Sequence, residues 1–288
     1  MIDLSNVTFV MPVFIDSSDR LRNVIMSASY LLKNFDCKLI IKESSPVNNV
    51  QKFAIPLIEK YVGNIRNLTY IFDQNGDFFH RTKLINDMIL MADTEIVCNY
   101  DCDVILPESS CIQARLLLEY DIYDVVYPYR FGASTVRFVD PFFKNVPFEN
   151  IQHALQEELV SKFMNSLKTE DLEDNYFYPP HMYGDGWAEF GFVQFFKKSV
   201  YIEGYMENEN FLPYQPEDVE RFHRFEKLGY RIGRLDNHIY HIEHHRPPGY
   251  GDSHLWEVLK CLSKEDLIEY YERQKYVKHR RATLCQTS

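Results

Sequence analysis

Glycine is scarce in this chain, 11 residues among 288, and the stretch VMPVFIDSSDR at positions 10–20 contains none. No glycine-rich phosphate loop therefore follows the first apolar run, which counts against a nucleotidyltransferase type of site. The six cysteines, at 37, 98, 102, 111, 261 and 285, form no C-x-x-C pair and no regular spacing. That excludes a disulfide framework by pattern, gives zinc no clustered ligand set, and leaves reduced thiols as the expectation. No apolar run approaches the roughly 18 residues of a membrane span. The first residues, MIDLSNVTFVMPVFID, lack the basic region and small-residue cleavage site of a signal peptide. Both absences point to a soluble, cytoplasmic protein. Positive charge is in deficit as well: the formal net charge is −11, which repels a phosphate backbone and makes nucleic acid an unexpected partner. A small phosphorylated ligand held locally is still compatible with that balance.

What is present is ordinary globular material, 45% hydrophobic and 25% charged, with 21 Phe and 20 Tyr against 2 Trp. Such aromatic weight suits a packed α/β core and sites that stack flat rings or sugars. Residues 7–15 (VTFVMPVFI) read as a buried strand, and Leu21, Val24, Ile25, Ala28, Leu31 and Leu32 follow at helical spacing. Strands are expected at 37–42, 68–73 and 95–100, with helices at 49–61 and 81–91. This alternation, through about residue 130, predicts a mostly parallel sheet covered by helices. Farther on, 151–167 reads as a helix, 172–180 as a loop, 190–196 and 231–244 as strands, and 216–228 as a helix. Two more helices, within 254–261 and 264–277, close the chain. The division expected is one α/β domain over 1–250 and a helical C-terminal extension over 251–288.

Four segments carry candidate chemistry. Asn99–Pro107 (NYDCDVILP) places Asp101 and Asp103 two apart at the end of a strand, where ligands of parallel sheets sit. Residues i and i+2 of an extended chain face the same way, so both acids can meet one divalent ion; the plainer reading is a solvated turn. Phe79–Asn86 (FHRTKLIN) offers Arg81 and Lys83 to a phosphate, or merely starts an amphipathic helix. In QPEDVERFHR, Glu217 and Asp218 either complement a helix dipole or supply a general base. Finally, His238, His241, His244 and His245 fall within eight residues, which suggests a metal ligand or else a surface cluster.

Taken together, these segments resemble the GT-A glycosyltransferases, in particular the metal-dependent β-1,4-galactosyltransferases and the transferase modules of chondroitin polymerases. Phe79–Asn86 matches the F-x-R-x-K-L-x-N segment of the former. Glu217, Asp218, Phe222 and Arg224 match the E-D-x-x-x-F-x-R helix, and Gly184–Gly191 (GDGWAEFG) stands at the glycine-containing loop. His241-Ile242-Glu243-His244 is similar to the metal-binding M-x-x-H segment, with His241 in the place of the methionine. The likeness spans roughly residues 7–246 and implies a Rossmann-like GT-A fold. It implies a transferase moving a galactose, N-acetylgalactosamine or glucose type of sugar from a UDP-sugar donor to a glycan acceptor, in surface glycan or polysaccharide synthesis. The cofactor implied is Mn2+ or Mg2+, held most closely by Asp103, with His241 and His244 as further candidate ligands and Asp101 nearer the ribose of the donor or reaching the ion through water. Pro12, Val13 and Glu43 would lie near the uridine, Arg81 and Lys83 at the diphosphate, and Trp187 at the sugar. Tyr214 and Gly191 would border the acceptor. Asp218 would be the base, with Glu217 beside it; Phe190-Gly191 replaces the family's Gly-Gly.

A metal and an arginine would stabilise the departing diphosphate while a carboxylate takes the acceptor proton, giving inversion. A retaining transferase is the nearer rival and is separated by the product anomer. A non-catalytic carbohydrate-binding module is the more distant one and has no use for acids, Arg-Lys and His in this order. The basic tail Lys275–Arg281 (KYVKHRR) either ends a solvated helix or touches an anionic membrane.

Overall fold

The computed structural model describes residues 1–74, 78–130, 134–136, 181–182, 189–213, 215–242, 244 and 254–287. The chain opens with β1 (Ile2–Val13), whose second half is wholly buried, followed by α1 (Ser18–Asn34). The Ser17 hydroxyl caps α1 by accepting from the Arg20 N–H at 3.3 Å. After β2 (Phe35–Ser44), a π-turn over Val50–Ala54 runs into α2 (Ile55–Val62), which Gly63 closes at φ 87°. Next come β3 (Leu68–Asp73), α3 (Arg81–Met91), β4 (Ile96–Tyr100), β5 (Val104–Ile105), α4 (Glu108–Glu119) and β6 (Val125–Tyr127).

Beyond β7 (Ser134–Val136) and β8 (His181–Met182) lie β9 (Val193–Lys197), α5 (Lys198–Glu203) and α6 (Glu217–Leu228). Then follow β10 (Ile232–Arg234), β11 (Tyr240–Ile242), α7 (His254–Leu259), α8 (Lys264–Arg273) and α9 (Lys275–Thr287). The main sheet runs β10-β6-β9-β4-β1-β2-β3. All its pairs are parallel except those of β9, which is antiparallel to both β4 and β6. A mostly parallel sheet with covering helices is the predicted architecture. β1 and β4 share the centre and are buried on both faces, as their continuous apolar runs require.

β1 starts five residues before the strand expected at 7–15 and ends two residues short of it, and three further boundaries differ from the sequence reading. The single strand expected over 231–244 is two: β10 joins the main sheet, while β11 pairs with β5 and β7 in a second sheet ordered β5-β11-β7-β8. The polar pair Asp236-Asn237 lies between them, and the Asn237 carbonyl accepts from the Arg130 N–H instead of continuing a ladder. The strand expected from 190 begins at Val193 because Phe192 takes a left-handed φ of 62°. The helix expected over 264–277 breaks at Gln274, which is extended, and α9 starts again one residue later. The helix expected at 151–167 and the loop at 172–180 lie outside the described residues.

The C-terminal helices build a small second core in which Tyr205 and Phe211 meet Leu259, Leu267, Tyr271 and Val277. Tyr271 donates to Glu220 on α6 at 2.5 Å. From the basic tail, Arg280 pairs with Asp87 at 2.7 Å and also with Glu209, so its charge is spent inside the fold. Among the described residues no helix is long and apolar enough to cross a membrane.

Candidate active site

The site is assembled by short-range register more than by long elements. The antiparallel pairing of β5 with β11 sets His241 opposite Val104, and the Ile242 N–H donates to the Asp103 carbonyl at 2.7 Å. The D-C-D turn is thereby stitched to the histidine segment. Asn23 of α1 locks the same join by donating to the Ile242 carbonyl at 3.1 Å. As a result, Asp103, His241 and His244 bring one ligand atom each within 4.8 Å of one another. Asp103 Oδ2 lies 2.9 Å from His244 Nε2 and 3.8 Å from His241 Nε2.

Burial opposes ionisation of Asp103, but the two imidazoles, His241 foremost, outweigh it and hold the carboxyl well below the usual carboxylate range. Its other oxygen, Oδ1, is buried without a hydrogen-bond partner. A buried carboxylate oxygen with nothing to accept from is costly, and a cation between it and the two imidazoles removes that cost. One carboxylate and two imidazoles fit a divalent transition ion such as Mn2+ better than Mg2+, which prefers oxygen donors.

Asp101 is turned elsewhere. Its Oδ1 accepts from Arg81 Nη2 at 2.5 Å, while Arg81 Nη1 reaches Glu217 at 3.0 Å. Asp101 thus orients Arg81 and is not among the three donors that converge. Burial works against charge on both partners, raising the Asp101 pKa; the adjacent carboxylates nonetheless keep Arg81 firmly protonated. Burial first, and Asp218 next, push Glu217 up to about 7 against the pull of Arg81.

Asp218 occupies the first turn of α6, where its Oδ1 accepts from the Val219 N–H at 2.8 Å. Its other oxygen faces Gly191: a Cβ on that glycine would stand 3.1 Å from Asp218 Oδ2. Gly191 is fixed in turn, its carbonyl accepting from Tyr129 Oη at 2.5 Å, while the Phe192 carbonyl accepts the Asp101 N–H at 2.9 Å. The ring of Phe192 packs 5.5 Å from His241. The antiparallel strand β9 thus ends in a bend touching the cation cluster, Asp101 and Asp218. A Gly191→Ala variant should stay folded and lose about tenfold in turnover, since small displacements of a reacting group are costly. Circular dichroism and steady-state rates check this.

Other predicted residues land differently. Pro12 and Val13 reach the C-terminal edge of β1, paired with Lys42 and Glu43, with their side chains buried. Just past that edge the half-buried rings of Phe14 and Phe79 lie 5.8 Å apart. Glu43 is fully buried, and its carboxylate accepts from the Asn49 and Val50 N–H groups and from Tyr70 Oη. It holds the loop before α2, so beside a uridine its part would be a supporting one. Lys83 is exposed on α3, where its charge bears on His80, apart from the Arg81 ion pairs. Trp187 and Tyr214 lie outside the described residues.

Several matched positions prove to be struts. Asn86 is fully buried; it donates to the Glu207 carbonyl and to Glu209, and accepts from Tyr201 Oη and the Glu207 N–H. Arg224 is tied to Glu220 at 2.9 Å and to the Gly204 and Met206 carbonyls. Together they hold Tyr205 and Met206 at left-handed φ values of 73° and 61°, a conformation that costs free energy in side chains of this size. That loop delivers Glu207 to Arg221 at 2.6 Å, both fully buried, and Arg221 donates to the Phe190 carbonyl at 3.1 Å, beside Gly191. Sequence reading missed this pair. Its only signal was an Arg three residues after Asp218.

No family model and no curated protein sequence matches the chain. Among solved structures, Staphylococcus aureus TarS 1–349 superposes with a TM-score of 0.50 at 14% identity, covering 82% of this chain and 60% of that one. The same protein in complex with UDP-GlcNAc gives 0.54 at 14%, covering 93% and 69%. A mannosyltransferase from Pyrobaculum calidifontis, PcManGT, in complex with GDP-Man and Mn2+, stands at 0.49 and 14%, covering 97% and 69%, too distant to add to the argument. The chain thus spans 60% of the length of the first TarS structure. At such identity the likeness establishes the fold: a GT-A, Rossmann-like α/β arrangement.

Proposed function

We propose that this chain is a metal-dependent, inverting glycosyltransferase that moves a sugar from a UDP-sugar to a hydroxyl of a glycan acceptor. The observation that carries the reading is the convergence, at the C-terminal edge of one sheet, of three chemical parts. These are the Asp103–His241–His244 donor set, the part-buried Arg81 held by Asp101 and Glu217, and the Asp218 carboxylate against Gly191. A fold neighbour in complex with UDP-GlcNAc supports a UDP-sugar as the donor class.

A divalent ion bound by Asp103, His241 and His244 would supply positive charge to the diphosphate. Arg81 stays protonated and donates to the phosphate oxygens, so negative charge growing on the leaving group meets a fixed cation. Asp218 accepts the proton of the acceptor hydroxyl as its oxygen bonds to the anomeric carbon. The bond from that carbon to the phosphate oxygen breaks, and UDP leaves with the electron pair. Attack opposite the leaving group inverts the anomeric centre. No second protein nucleophile is required.

The test is UDP release from UDP-glucose, UDP-galactose, UDP-GlcNAc and UDP-GalNAc with Mn2+ present. Release from at least one donor, abolished by EDTA and restored by Mn2+, is expected; silence across all four sinks the proposal. A product with retained configuration, seen by proton NMR of the anomeric signal, would replace inversion by the retaining pathway.

A further inference from the structure

Between α6 and the C-terminal helices lies an open cavity of about 500 Å3. This is the size of a small-ligand site. The rings of His223 and Trp256 form one wall, stacked 5.4 Å apart at 20°, with the apolar side chains of Leu259 and Leu267 also facing the space. His223 also lies 5.7 Å from Phe190, the residue before Gly191. Phe190, His223 and Trp256 therefore make an aromatic row that starts next to Asp218 and ends in the cavity. From Asp218 to His223 the helix advances five residues, roughly 7.5 Å. Those five positions also turn about 140° around the axis, so it is the row of rings from Phe190 through His223 to Trp256 that joins the cavity to the Asp218 end.

The lining also says what kind of ligand fits. Flat rings and leucines offer contact to the C–H face of a pyranose, and polar groups around them can meet hydroxyls. Arg224 is paired with Glu220 and Lys260 with Glu257, Glu226 faces His223, and Lys227 donates to the Lys260 and Leu262 carbonyls. A strongly anionic ligand would find no unspent cluster of cations there. We infer that this cavity is a subsite for a non-reacting, uncharged sugar of the acceptor glycan, which makes the enzyme favour oligosaccharide over monosaccharide acceptors. The inference rests on the transferase reading above, and the experiment separates the two.

N-acetylglucosamine is compared with chitotriose, and glucose with maltotriose and cellotriose, as acceptors, alongside UDP release without acceptor. For at least one trisaccharide the wild type should show a KM about tenfold below that of its monosaccharide. Trp256→Ala and the more exposed His223→Ala should each erase that gap while leaving monosaccharide KM and acceptor-free UDP release unchanged. Should Trp256→Ala unfold, as a thermal melt would reveal, His223→Ala decides alone.

Saturation-transfer NMR of the same trisaccharides reads binding without turnover. A signal lost on His223→Ala in a protein that hydrolyses no donor would uphold the subsite and defeat the transferase reading. No trisaccharide preference and no saturation transfer in the wild type would overturn the subsite, as would an equal loss for both acceptor lengths in the variants.

Discussion

Asp218→Asn should lower turnover by about 10²–10⁴-fold, the usual worth of a positioned base, while the affinity for UDP-sugar stays within twofold. The substitution keeps the shape of the side chain and the contact its Oδ1 makes with the Val219 N–H, so the helix start is undisturbed. Only the capacity to take a proton is lost. Glu217, next door, is pushed up to about 7 by burial, which by itself would suit a general base. Geometry decides against it, because its carboxylate is held 3.0 Å from Arg81, on the donor side of the site. Glu217→Gln should accordingly weaken donor binding more than it slows the chemical step. Titration calorimetry with UDP, paired with single-turnover rates, measures both quantities. A loss of donor affinity in Asp218→Asn as large as the loss in rate would remove Asp218 from the base's role.

The division between what the sequence disclosed and what it withheld follows the length scale of each signal. β1, α1, β2 and α3 each bury a whole face, so their apolar periodicity locates them to within about five residues, while the half-buried β3 is legible from its aromatic and β-branched run. The acids of D-C-D were legible because a strand of five buried residues, Ile96–Tyr100, ends just before them. The second sheet was not legible, since β5 and β11 are two and three residues long and pair across more than 130 positions. Without that pairing, nothing in a string of histidines tells which nitrogen meets Asp103, or that Asp101 turns to Arg81.

Motif matching named positions faithfully and jobs less so. Asn86 and Arg224 match a transferase pattern, yet their polar atoms are committed to the Gly204–Glu207 backbone and to the Tyr201, Glu209 and Glu220 side chains. Glu43, likewise, sits at the predicted sheet edge and faces inward. A carboxylate at the end of a strand carries the same letter whether it meets solvent or a helix start; only burial separates the two.

Asp103→Ala should abolish cation binding and donor binding together. The carboxylate is the one anionic member of the three-donor set, and its removal leaves two imidazoles that stand near each other without a hard oxygen between them. Changes merely outside a metal's ligands cost 10–100-fold in affinity, so loss of the sole carboxylate is expected to cost at least about 10²-fold. The free-ion paramagnetic resonance signal of Mn2+ reads this directly, with no substrate needed. Asp101→Ala is the informative contrast. Asp101 contacts Arg81 rather than the donor cluster, so this variant should bind Mn2+ almost as the wild type does and lose donor affinity through a misdirected guanidinium. The two acids of one D-x-D turn would then have separable tasks, one holding the cation and the other aiming the arginine at the same diphosphate. Equal loss of Mn2+ in both variants would dissolve that separation and return Asp101 to the metal.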